Sequence, residues 1–164
     1  MAYVVHGTAT SGNCHKLRLA LDILGQAYEW REIDILKGET HTPAFLRMNP
    51  NGKVPVLQID ATSFLAESNA ILCYLGEGTR LVPADRLARA RMLQWMFFEQ
   101  YTHEPAIAVA RFVRAFLKRA DDPRLPDLQR KGYAALDVME QHLAQAQYFA
   151  GGNLSLADLA LFGY

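Results

Sequence analysis

Hydrophobic spacing changes period once along this chain, and the change falls at a break. Residues 2–76 alternate between strand-like and helix-like stretches, whereas everything beyond the Gly76, Gly78 and Pro83 punctuation reads as helix. A chain built this way needs two kinds of core. The reading is therefore an α/β domain over residues 1–76, a linker over 77–83 and an all-helical domain over 84–164.

The first part resolves into elements. Tyr3 to His6 is β-rich, and a polar loop leads to Asn13. Leu17, Ala20, Leu21 and Leu24 then recur at helical spacing, with Gly25 placed for a left-handed C-cap, so a helix is expected from about Cys14 to Leu24. Tyr28 to Ile35 alternates as a second strand. After a short helical turn around Thr42 to Met48, Val54 to Ile59 and Ser63 to Ala66 form a hairpin about Asp60-Ala61. Ser68 is expected to cap a helix whose apolar face is Ile71, Leu72 and Leu75. The order βαβ, crossover, ββα is a thioredoxin-like plan.

Two long helices are expected next, Asp85 to about Arg119 with a kink at Pro105, and Pro126 to about Gln147. A last helix, Leu156 to Tyr164, is announced by Ser155 as N-cap, Asp158 as its reciprocal partner and a Leu154–Leu159 staple. It is apolar nearly all round, and little chain remains to cover it. The helical domain is accordingly expected to be incomplete, lacking final helices.

Composition narrows the partners. Seventeen basic and seventeen acidic side chains cancel, so no global field draws nucleic acid or an anionic membrane, and a small molecule is the default ligand. The N-terminal residues lack signal-peptide character and no apolar run reaches membrane-spanning length, which points to the cytoplasm. Cys14 and Cys73 share no metal or disulfide-framework spacing, and no metal site is expected.

Four stretches resemble the glutathione S-transferase family in its bacterial spelling: Ser11 to Arg18, Asn49 to Leu57, Glu67 to Ile71, and the Ser155 to Asp158 capping motif. The resemblance implies glutathione as co-substrate, a small hydrophobic electrophile, a homodimer and a role in detoxification. It also distributes roles. The family holds the glutathione thiolate with a Tyr, Ser or Cys near the end of the first strand; here that Tyr is absent and Ser11 is the matching hydroxyl, with Asn13 and Cys14 as further candidates. Val54 and a cis Pro55 would pair with the cysteinyl backbone, Lys53 would face the glycyl carboxylate, and Glu67 and Ser68 would divide the γ-glutamyl zwitterion. Tyr101, His103, Phe112 and Phe116 would wall the apolar co-substrate pocket, although His103 also reads as a surface histidine.

The energetics are adequate without a metal. A free thiol has a pKa near 8.5, and lowering it by about 2 units requires about 2.7 kcal/mol. A hydroxyl donor contributes about 1.5–3 kcal/mol and a helix N-terminus up to about 1–2. Three functions stay open. The first is glutathione transfer, the second a glutathione-dependent reduction of disulfides or peroxides through Asn13 or Cys14, and the third a non-catalytic interaction module.

Overall fold

A computed structural model describes residues 2–164. The chain folds into two compact units, Met1–Thr79 with Gly163, and Arg80–Phe162 with Tyr164.

The first unit has the element order β1 (Tyr3–Gly7), α1 (Gly12–Leu24), β2 (Tyr28–Glu32), α2 (Pro43–Met48), β3 (Val56–Gln58), β4 (Phe64–Ala66) and α3 (Ser68–Gly76). The four strands form one sheet in the order β2-β1-β3-β4. β1 and β2 are parallel around α1, while β3 runs antiparallel to both β1 and β4, as the thioredoxin-like plan requires. Val5, Leu17, Leu21, Leu57, Ile71 and Leu75 make the core, drawn from the sheet, α1 and α3. Burying such side chains is the main drive for folding this unit.

Local chemistry sets the ends of these elements. α1 begins two residues earlier than periodicity suggested, because Ser11 caps it by accepting the Cys14 N–H at 3.4 Å. Gly12 and Asn13 carry no apolar signal, so spacing alone misses that turn. Gly25, at φ 64°, closes α1 as expected. β2 stops at Glu32 because Asp34 turns the chain, its carboxylate accepting the Leu36 and Lys37 N–H groups. β3 is shorter than expected at both ends, and the hairpin loop runs over residues 59–63, with the Ile59 N–H reaching Ser63 O at 2.9 Å. Asp60 binds the Thr62 and Ser63 N–H groups there, which hold its carboxyl down at about 2.

α3 corrects the expected cap. Glu67, not Ser68, stands at the N-cap, with φ 68° and no side-chain cap bond, and Ser68 is the first helical residue. A positive φ in a non-glycine residue costs about 1–3 kcal/mol and is kept where surrounding structure demands it.

The second unit comprises α4 (Arg86–Phe98), a π-helical segment (Glu99–His103), α5 (Glu104–Arg111), a second π segment (Phe112–Phe116), α6 (Leu125–Leu143) and α7 (Leu156–Phe162). Asp85 caps α4 through the Ala88 N–H at 2.8 Å. The π turn ends just before Pro105, whose missing N–H breaks the regular ladder; the expected kink is realised as this wider turn. α6 is shorter at its C-terminal end than expected, stopping at Leu143.

α7 is covered more completely than its position suggested. Leu156, Ala157, Leu159, Ala160 and Leu161 are buried, and Phe162 is the large apolar residue left open. Its N-terminal device is wider than the capping motif. The Asp158 carboxylate accepts the Ser155 N–H and hydroxyl, both at 2.8 Å, and also the Phe149 N–H at 3.0 Å. One carboxylate thus ties the segment before α7 to its first turn. Asp158→Ala leaves these donors without their acceptor and is expected to cost about 2–4 kcal/mol, read as a lower urea midpoint at unchanged slope. An unchanged midpoint would show that water substitutes for the carboxylate.

Candidate functional site

The sheet register gathers the first-unit candidates. His6 of β1 pairs with Val56 of β3, and Val56 pairs with Ala66 of β4. The loop carrying Ser11 leaves from the end of β1, Lys53, Val54 and Pro55 lead into the start of β3, and Glu67 and Ser68 follow the end of β4. All three segments therefore depart from one end of the sheet.

At the β1 exit the chain must pass close to α1. A Cβ on Gly7 would come within 2.9 Å of both Cys14 Sγ and the Trp30 ring, so only glycine fits there. Opposite Gly7 in the register lies Glu32, whose carboxylate accepts from Thr8 Oγ1 (2.8 Å), the Ala9 N–H (3.0 Å) and Trp30 Nε1 (2.7 Å). Partial burial opposes ionisation, but the bonds from Trp30, Thr8 and Ala9 outweigh it and keep the carboxyl below its usual value. A fixed anion thereby anchors the loop that presents Ser11. Sequence reasoning missed Glu32; its place at the C-terminal end of a strand beside the glycine exit was the available signal.

Ser11 is half-buried at the N-cap of α1. Its oxygen accepts the Cys14 N–H, which fixes the hydroxyl at the start of the helix. Cys14 is fully buried, and burial pushes its thiol above the ordinary range, against hydrogen bonding at Ser11 and Thr8 that acts the other way. It packs as a small hydrophobe.

Asn13 lies two residues from Ser11 and is joined to the third segment. Ser68 Oγ donates to Asn13 Oδ1 at 3.1 Å, and Lys16 Nζ donates to Ser68 Oγ at 3.5 Å. That hydroxyl is engaged by α1, which is why it does not cap its own helix. Lys16 went unnoticed in the sequence because a lysine at a helix position is ordinarily solvated.

In the second segment the Val54–Pro55 peptide is cis, as the resemblance implied. The turn before it is organised by buried Asn49, whose amide donates to Lys53 O at 2.8 Å and whose side-chain oxygen accepts the Asn51 N–H. Pro55 is buried, Val54 half-buried and Lys53 exposed; Glu67 is exposed too.

The second-unit candidates do not form one wall. Phe112 and Phe116 stack, centroids 5.6 Å apart, with the Arg111 guanidinium over Phe116. Tyr101 is 88% exposed. His103 is fully buried, which corrects the surface reading: Met92, Met96, Glu99, His103 and Ala106 form one buried stripe at alternating spacings of four and three. A groove of about 290 Å³ between α5 and α6 is lined by Ile107, Arg114, Leu128 and Leu136 among others, and by none of these four. Among the described residues no group of three or more metal-ligating side chains assembles, and no helix is long and apolar enough to cross a membrane.

With this geometry in place, comparison with known proteins is direct. Residues 10–77 match the family model for the glutathione S-transferase N-terminal domain, and residues 107–164 match that for the C-terminal domain. A zeta-class glutathione S-transferase from Euphorbia esula is 36% identical over 154 residues, covering 89% of this chain and 67% of the relative. A maleylacetoacetate isomerase from Rhizobium meliloti is 32% identical, covering 92% of this chain and 74% of the relative. The crystal structure of a glutathione S-transferase from Pseudomonas fluorescens Pf-5 superposes with a TM-score of 0.96 at 48% identity, covering all of this chain and 83% of that one. The chain belongs to the glutathione S-transferase family.

Burial makes Cys14 a testable negative. Its thiolate should form only above the ordinary thiol range, so iodoacetamide at pH 7 is expected to modify it at least about tenfold more slowly than free cysteine, with the rate still rising beyond about pH 9. Equal rates at pH 7, read by peptide mass spectrometry, would contradict this placement.

Proposed function

We propose that this chain activates the glutathione thiol as thiolate for attack on small, largely apolar electrophiles, with Ser11 as the hydroxyl that stabilises the sulfur. The observation that carries the reading is the capping geometry of Ser11. Its oxygen accepts the Cys14 N–H, which fixes the hydroxyl at the positive end of α1. A thiolate placed there would meet a donor and a helix dipole together.

The strand register supports a tripeptide as ligand. Exits from β1, β3 and β4 span two interstrand spacings, about 10 Å, close to the length of three extended residues. In this proposal the thiol lies toward Ser11 and the cysteinyl backbone pairs with Val54 before the cis Pro55. Lys53 faces the glycyl carboxylate, and Glu67 and Ser68 take the γ-glutamyl end. Catalysis is then proximity plus electrostatic stabilisation. A homodimer, a cytoplasmic setting and a detoxifying role accompany this reading from the family. The domain division at residues 77–83 belongs to it as well.

The reductase alternative through Cys14 would need a reactive thiol there, and the burial of Cys14 weighs against that form, though not against the one through Asn13. The relative named as an isomerase keeps a second reading in play: the same activated sulfur could add reversibly to a conjugated acid and so promote its isomerisation.

Ser11→Ala tests the mechanism. Losing one hydroxyl donor to a charged sulfur should raise the pKa of bound glutathione by about one to two units and slow conjugation at neutral pH, with glutathione affinity nearly unchanged. The thiolate absorbance of the binary complex, followed against pH, reads the shift; superimposable titrations for parent and variant would remove Ser11 from the mechanism.

A further inference from the structure

Ser11 closes a tight turn between β1 and α1. Its N–H donates to Thr8 O at 3.1 Å, so residues 8–11 form a hydrogen-bonded turn. Ala9 and Thr10, at the tip, are exposed, and burial therefore does little to fix the turn. We propose that Glu32 is a positioning residue for thiol activation: acting through the turn rather than on glutathione itself, its carboxylate clasps Thr8 and Ala9 and thereby sets where the Ser11 hydroxyl stands. The inference rests on the reading of Ser11 as partner of the thiolate and deepens it.

The clasp calls for a carboxylate. Oε1 accepts the Thr8 hydroxyl at 2.8 Å and the Ala9 N–H at 3.0 Å, while Oε2 accepts Trp30 Nε1 at 2.7 Å and shares the Ala9 N–H at 3.2 Å. Every partner is a donor, and an ionised acid is the side chain that accepts at both of its terminal atoms. An amide in its place would turn an NH2 group against one of these donors. The base of the clasp is fixed as well. Beside Glu32 in the ladder the Ile33 N–H donates to Gly7 O at 2.8 Å, and the Trp30 ring packs against Gly7 where no Cβ fits. Glu32 thus transmits the position of the sheet to the turn, and the last residue of that turn is the N-cap of α1.

The sign of its charge separates positioning from field. Burial is the main reason the Cys14 thiol stands above its ordinary range, and the charge of Glu32 pushes the same way, so this anion opposes a thiolate at the start of α1. Any benefit of Glu32 to a bound sulfur has to come through geometry. Field and geometry therefore predict opposite outcomes when the charge is removed.

The test compares Glu32→Gln with the parent in the full chain, using glutathione and chlorodinitrobenzene as probes. Positioning predicts that kcat at neutral pH falls about ten- to a hundredfold with the glutathione KM within about threefold, and that the pKa of bound glutathione, read from thiolate absorbance against pH, rises by about one unit. A purely structural glutamate would leave the titration of the folded protein unmoved, and a purely electrostatic one would lower it; either result overturns the proposal. In a Ser11→Ala background the substitution should change kcat by less than about threefold, because the hydroxyl it positions is gone, and an undiminished effect overturns the proposal too. Thr8→Val removes one donor of the clasp at similar volume and should raise the same pKa by a smaller amount, which keeps the proposal exposed if Glu32→Gln fails to fold; an unmoved titration there overturns it. A parent that binds no glutathione, or a Ser11→Ala variant with the parental titration, defeats the underlying reading instead, which separates the two failures.

Discussion

Backbone ladders set His6, Val56 and Ala66 side by side, and the chemistry of the first unit hangs from that row. Burial specifies the central pairing: shifting β1 or β3 by one residue would turn Val5 or Leu57 out of the core. The same packing that satisfies Leu17, Leu21 and Ile71 therefore decides that Ser11, Pro55 and Glu67 leave the sheet at one end. A site assembled from residues far apart in the chain inherits its precision from a hydrophobic register.

Polar groups then refine that precision. Glu32 gathers Thr8, Ala9 and Trp30, and holds the loop before Ser11 against the sheet. Lys16, Ser68 and Asn13 join the starts of α1 and α3 by two hydrogen bonds. Hydrogen bonds of this kind hold a geometry that nondirectional apolar contact cannot. The strained backbone of Glu67 lies at the same junction, where α3 must start abruptly after β4.

The second unit shows the opposite balance. Its order comes from an apolar α7 tied down by Asp158, and from a buried stripe on α4 and α5 that runs through a π turn and includes Glu99 and His103. The rings that looked like one wall in the sequence face different surroundings: Tyr101 is exposed, His103 lies in the buried stripe, and Phe112 and Phe116 stack on each other. Aromatic composition alone could not show which rings share a surface.

The sequence by itself determined the two-part architecture, the βαβ-ββα order, the helix cap at Gly25, the Ser155–Asp158 device and the segments that carry the candidate site. These are local properties, written in spacing, capping chemistry and turn residues. Only the tertiary structure decided that Glu67 rather than Ser68 caps α3, that Glu32 anchors the Ser11 loop, that His103 is buried, and that Lys16 stands behind Ser68. Each of these depends on which distant side chain takes a given proton or excludes water, and that follows from packing in three dimensions, to which no window of neighbouring residues has access.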